Sequence, residues 1–341
     1  MVSQQIRKGQ PRRHHYLPQF DQLGFGEGAD PRVWVYDRMT QRYFHAHPKS
    51  ICFENELYTA DPEGTADRRI ESQVLSQVDG DAAAAIRQIN SPEWPKEQWR
   101  SVLSAFMAFQ ITRSPAFRTV TMEAHRITAE EIMRIGFSDV NRARGLMERY
   151  GRETGLDLGD VTPESMVDAF VNKRIKAVAT ERPFLEGMAN QFRVLFALFS
   201  GLAWTIVGAP QTTGFVTCDY PVVSIPPPGN PQSGPSAYGA HVLFPLTRRH
   251  CLYMVKPGDG LRFGFCTRAG TRAINQNIAI ASERFVIGPS KLQLDHLVES
   301  SRTALPDPLP RATVELIEKS IDGSIVMMTL WPRCRQMPLA P

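Results

Sequence analysis

The densest chemical signal in the chain is His14-His15-Tyr16-Leu17-Pro18-Gln19-Phe20. Two imidazoles beside a proline-fixed turn are suited to serve as a metal ligand, a general base or a phosphate contact. In an extended segment adjacent side chains point to opposite faces, so one of the pair is expected to enter a given site while the other packs or meets solvent. A second signal lies about a hundred residues on. Gln110 falls four residues after Phe106 and Arg113 three after Gln110, so both continue the apolar face of their helix. A guanidinium buried without a partner costs several kcal/mol. Arg113 therefore requires either an internal carboxylate, as a structural ion pair, or an anionic ligand.

Glu71 is the first candidate for that carboxylate, because Val74, Leu75 and Val78 follow it at helical spacing and place it on a core stripe. Glu is almost never fully buried unless paired, so it is also a candidate metal ligand beside a histidine. Asp219, in Thr217-Cys218-Asp219-Tyr220-Pro221, stands where a strand breaks into a loop. Such ends present catalytic carboxylates, although an Asp next to a turn also ties the loop by local hydrogen bonds. Arg248-Arg249-His250 follows Phe244-Pro245-Leu246-Thr247 as the basic tip of a hairpin, read as solvated rather than catalytic.

The elements that must position these groups are read from periodicity. Residues 1–31 form a coil that carries a basic arm and the histidine motif. Residues 32–37 and 42–46 make a hairpin. Helical spacing runs through 68–89, and the next helix opens with Ser91 as N-cap and Pro92 at its first position. That helix carries Trp99, Leu103 and Phe106 on one face and breaks at Ser114-Pro115. Helical patterning resumes to about Tyr150, a further helix is capped by Thr162-Pro163, and 183–202 is strongly apolar. From Trp204 onward short Val-, Ile-, Tyr- and Phe-rich strands alternate with turns, and 272–285 is a helix running into the strand FVIG. The expected fold class is α+β, with a largely helical N-terminal half packed on a C-terminal antiparallel sheet. Residues 32–202 supply the hairpin and helices, and 203–341 a mainly antiparallel β region packed with them as one domain.

Composition sets the outer bounds. The 341 residues are 42% hydrophobic and 22% charged, ordinary values for a globular chain. The net charge is +4, and Arg7, Lys8, Arg12 and Arg13 before the histidine pair account for all of it. Such an arm neutralises phosphates or frays into solvent. The five cysteines are odd in number, widely spaced and without a CxxC, which indicates neither a disulfide framework nor a cysteine zinc site. No apolar run is long enough to span a membrane, and no signal peptide stands at the N-terminus, so a cytoplasmic protein is expected. The absence of GxxxxGKS/T, GxGxxG, GxSxG and HExxH argues against P-loop, Rossmann, α/β-hydrolase and zincin chemistry.

HHYLPQF, VWVYDR, FENELYT, RRIESQVLSQV, FMAFQITRSPAFR, TCDYPVV, FPLTRRHCLYM and AINQNIAIASERFVIG occur in an order that resembles the bacterial family catalogued as domain of unknown function 4238. The resemblance covers roughly residues 12–290. It departs only where Cys218 replaces a serine before Asp219. It implies that His14, His15, Gln110, Arg113 and Asp219 are motif positions, and it carries no activity of its own.

The resulting expectation is a hydrolase, most plausibly a metal-assisted phosphodiesterase or nuclease in bacterial defence or toxin action. His14, His15 and Asp219 would be catalytic. His15, Glu71 and Asp219 would hold a divalent cation, Mg or Mn, and Gln110 and Arg113 would grip the phosphate of a nucleic acid or another phosphate-bearing substrate. The alternatives are a non-catalytic ligand-binding or sensing module and a metal-independent transfer enzyme acting on a small molecule.

Overall fold

The computed structural model describes residues 13–28, 30–58, 70–89, 97–172, 174, 182–230, 234–255 and 260–301, without the side chains of Glu71, Ser72, Glu97 and Arg182. The basic arm up to Arg12, the Ser91-Pro92 cap and everything after Ser301 lie outside the described residues.

The histidine motif opens the chain as β1 (Arg13–His15), which pairs antiparallel with β4 (Phe53–Asn55) so that His14 faces Glu54 and His15 faces Phe53. Pro18 then starts α1 (Gln19–Leu23), a short helix that buries Asp21 and Gln22. Between these elements β2 (Val33–Asp37) and β3 (Arg42–Ala46) form the expected hairpin.

A single π-helical stretch, Ile70–Leu75, leads into α2 (Ser76–Arg87). Its i→i+5 turn is wider than 3.6 residues and rotates the phase of everything before it. Val74 is consequently 45% exposed although α-helical spacing places it in the core, while Leu75 is buried as expected. The core stripe of α2 continues through Ala82, Ala85 and Ile86.

α3 (Glu97–Thr112) is the central helix: from Phe106 to Thr112 every residue is buried, which is the pattern of a helix enclosed on all sides. It packs on α7 (Arg182–Ser200), where the Phe109 and Phe192 rings stack with centroids 4.4 Å apart. Ser114 caps α4 (Pro115–Gly136) by accepting from Phe117 N–H, so the Ser-Pro break is a helix restart. α5 (Val140–Thr154) follows with Asp139 as its cap, and α6 (Pro163–Val171) begins with a Thr162–Ser165 capping box.

The C-terminal region forms two sheets. The larger has the order β10-β5-β9-β8-β7, built from β5 (Ala203–Gly208), β7 (Val223–Ile225), β8 (His241–Thr247), β9 (His250–Val255) and β10 (Leu261–Phe265). It is antiparallel except at its edge, where β10 runs parallel to β5, a departure from the fully antiparallel expectation. β6 (Thr217–Cys218) joins the second sheet, of order β3-β2-β11-β6, with β11 (Phe285–Gly288). In it the N-terminal hairpin pairs directly with the strand that follows α8 (Arg268–Ala281). α9 (Lys291–Ser301) closes the described chain and packs on α8 and β11, an element that periodicity leaves unassigned. The fold is therefore α+β, with helices concentrated in the N-terminal half and sheets in the C-terminal part.

Candidate functional site

The end of α3 delivers Gln110 and Arg113 into the interior, and both are buried. The Arg113 guanidinium gives Nε to Gln110 Oε1 at 2.7 Å and Nη1 to Asp79 at 2.8 and 3.1 Å. It also lies 5.4 Å from the centre of the Phe106 ring. The internal carboxylate that Arg113 requires is thus Asp79, further along the helix that begins near Glu71. The Glu71 side chain itself lies outside the described residues. Asp79 follows Leu75 by four residues and precedes Ala82 by three, so it occupies the stripe that the π-turn denies to Val74. Its side chain remains 25% exposed, which leaves the ion pair one route to solvent.

The histidine motif reaches the same place from two directions. His14 is buried, and its Nδ1 accepts the main-chain N–H of Tyr58 at 3.1 Å, while the two rings stack. Tyr58 in turn donates its hydroxyl to the carbonyl of Arg113 at 2.8 Å. His14 thereby fixes the position of the α3 terminus and has an accepting, unprotonated Nδ1. His15 turns the other way and is half-buried. Burial first, then the charges of Arg13 and Arg113, hold its pKa below the usual imidazole value against the opposing pull of the Pro48 and Lys49 main chain. His15 is neutral at pH 7, and its buried Nε2 has no hydrogen-bond partner among the described residues.

α1 adds a carboxyl that periodicity misses. Phe20 packs its ring against Phe106 at 5.5 Å, the ring over which Arg113 also lies, and the next residue is Asp21. Burial pushes the Asp21 carboxyl up to about 8, with Arg113 pulling it down and Asp79 pushing it up. Asp79 is also raised by burial, against the charge and hydrogen bonds of Arg113 and the charge of His15. Asp21 is therefore a neutral acid at pH 7. Neither of its oxygens has a partner among the described residues, and the same holds for Gln110 Nε2 and Arg113 Nη2. Leaving one such group unpaired costs about 1–3 kcal/mol, so these atoms call for polar partners that the described residues do not supply.

Asp219 stands apart from this cluster. Its Oδ1 accepts the N–H of Glu283 at 2.9 Å, and its Oδ2 those of Arg284 and Phe285 at 2.7 and 3.0 Å. Burial raises its pKa while these three N–H groups and the charge of Arg38 pull it down. This is the geometry of a staple holding β6 to the turn before β11, through bonds to residues 64–66 positions away and not within its own loop. Asp219 also lines a cavity of about 840 Å³ with Tyr16, Cys52 and Glu54. Among the described residues no group of three or more His, Cys, Asp or Glu side chains is arranged to hold a metal ion. Both Asp219 oxygens accept from main-chain donors, and the Glu71 side chain lies outside the described residues.

A family model described as "Protein of unknown function (DUF4238)" matches residues 13–291. The chain belongs to this family. The match takes in every residue of the cluster, from His14 to Arg113, and Asp219 as well. No curated protein and no solved structure matches the chain. The family's description names no activity, so the chemistry rests on the side chains. Among the described residues no helix is long and apolar enough to cross a membrane.

Proposed function

We propose that the protein is a hydrolase of phosphodiester bonds that works by general acid–base catalysis at the His15–Asp21–Arg113 cluster. The observation that carries this reading is a pair of titratable groups poised in opposite senses: a neutral His15 with an unengaged Nε2, and an Asp21 carboxyl that keeps its proton to about pH 8. Groups whose titrations are pushed in opposite senses can supply a base and an acid at neutral pH, and both of these feel the charge of Arg113. His15 Nε2 would take the proton of the attacking water, and Asp21 would give its proton to the leaving oxygen. Arg113 Nη2 and Gln110 Nε2 would face the phosphoryl oxygens, where a second guanidinium nitrogen adds directional binding. Asp79 would keep Arg113 oriented, and His14, through Tyr58, would hold the helix end that carries it.

The test is incubation of the purified protein with labelled RNA and DNA, with and without Mg²⁺ or Mn²⁺. Wild type is expected to cleave at least one of them. His15→Ala and Asp21→Asn should each fall by a hundredfold or more, the usual worth of a positioned acid or base. Absence of cleavage under all conditions, or cleavage unchanged in both variants, contradicts the proposal.

One observation favours a second reading, a non-catalytic binding module. Arg113 is fully enclosed by Asp79, Gln110 and Phe106, an arrangement also suited to an internal network around a bound small molecule. Under that reading a ligand stabilises the protein and no turnover of phosphodiesters is measured.

A further inference from the structure

A cavity of about 690 Å³, lined by none of the residues of the buried cluster, opens between the turn joining β8 to β9, the loop after β5, and the exposed sides of α8 and α9. Arg248, Arg249, Arg268 and Arg272 line it, with His296 opposite, against a single carboxylate, Glu27. That carboxylate does little to neutralise it. The Glu27–Arg248 pair is separated by 3.6 Å and well exposed, a geometry worth little.

Arg249 is the fixed charge of the wall. Its Nη1 donates to the carbonyls of Pro210 and Thr213 at 3.0 and 2.9 Å, and its Nη2 to that of Ala209 at 3.0 Å. The guanidinium thus holds the loop after β5 in place, yet it meets no carboxylate among the described residues. Its remaining N–H donors are uncommitted there, since a guanidinium carries five. The loop is pinned from the far side too, because the Gly214 carbonyl accepts from Asn275 Nδ2 and Gln293 Nε2 at 2.9 and 2.6 Å.

Arg268 and Arg272 break two local rules at once. They lie four residues apart on α8, where like charges repel, and Arg268 stands in its first turn, where the helix dipole disfavours a cation. Both are exposed. Arg268 is engaged only through Nε, with Thr212 Oγ1 at 3.0 Å, and Arg272 has no ion-pair or hydrogen-bond partner among the described residues. Charges held in an unfavourable place are explained when something of opposite sign arrives to meet them.

We infer that this cavity binds a compact polyphosphate, of the class of a nucleoside triphosphate or an inorganic oligophosphate. The volume suits a small molecule. The arginines converge on one hollow instead of spacing out along a track, as a nucleic-acid backbone would require. The inference is independent of the buried cluster and goes beyond the hydrolase reading.

Calorimetric titration of the full chain without divalent cations tests it, using inorganic triphosphate, ATP and a twelve-nucleotide RNA as probes. Wild type should bind triphosphate and ATP, with affinity that falls as salt rises. The double variant Arg268→Gln/Arg272→Gln should lose at least tenfold. Without ligand that variant should melt at the same temperature as wild type or higher, because it removes a repulsion and exposes no core. No binding of triphosphate, binding unchanged in the double variant, binding of the RNA alone, or a lowered melting temperature of the unliganded variant would each overturn the inference.

Discussion

Asp21 is the residue on which the acid–base reading turns, and its energetics make a prediction that needs no substrate. The folded chain keeps this carboxyl protonated to about pH 8, whereas an unfolded Asp loses its proton near 3.8. Between those values the folded state binds more protons than the unfolded one, so the contribution of Asp21 to stability falls as pH rises from about 4 to about 8, then levels off. Asp21→Asn removes the titration and keeps the shape. Urea denaturation of the two proteins at pH 5 and pH 8.5 should show the variant gaining on wild type by more than about 2 kcal/mol between them. Of the side chains in the cluster, Gln110 and Arg113 were legible in the sequence because α-helical spacing carries both onto an apolar face. Asp21 was not, since a helix of five residues is too short to show periodicity. Asp79 was legible in principle, by its spacing from Leu75 and Ala82. The Glu71 side chain lies outside the described residues, in the π-helical stretch that precedes α2.

At the scale of elements, the features visible in sequence are those that local chemistry fixes: the β2–β3 hairpin, the Ser114 restart of α4, the Thr162 cap of α6, and the passage from α8 into β11. The features that escaped are settled by tertiary contact. β10 is an edge strand with Phe263 and Phe265 exposed, so its pattern carries no buried face to detect. The role of Asp219 also belongs here. Its side chain closes the turn between α8 and β11 onto β6 through three main-chain N–H groups. Asp219→Ala strands these donors in or near the interior, and a loss of roughly 3 kcal/mol is expected at about 1 kcal/mol each. Thermal denaturation reads this directly, and a variant as stable as wild type would show that the staple is not needed.

Over the whole molecule, the N-terminal hairpin and the last described strand are bound into one sheet. β2 pairs with β11, so the hairpin that follows the histidine motif and the strand that follows α8 share a ladder of hydrogen bonds. The cluster around Arg113 is assembled in the same way, from β1, α1, α2 and α3. Unfolding should accordingly be a single transition, with near- and far-ultraviolet circular dichroism melting together; two separated transitions would mean that the helical and sheet regions stand independently. In the proposed site, chain segments distant in sequence bring a neutral imidazole and a protonated carboxyl under the charge of one buried guanidinium. The most direct measurement is a carbon-detected NMR titration of the full chain labelled at its aspartate carboxyls, with Asp21 assigned by its absence in Asp21→Asn. A midpoint near pH 8 for Asp21 agrees with the account, and a midpoint near 4, as for a carboxyl in water, contradicts it.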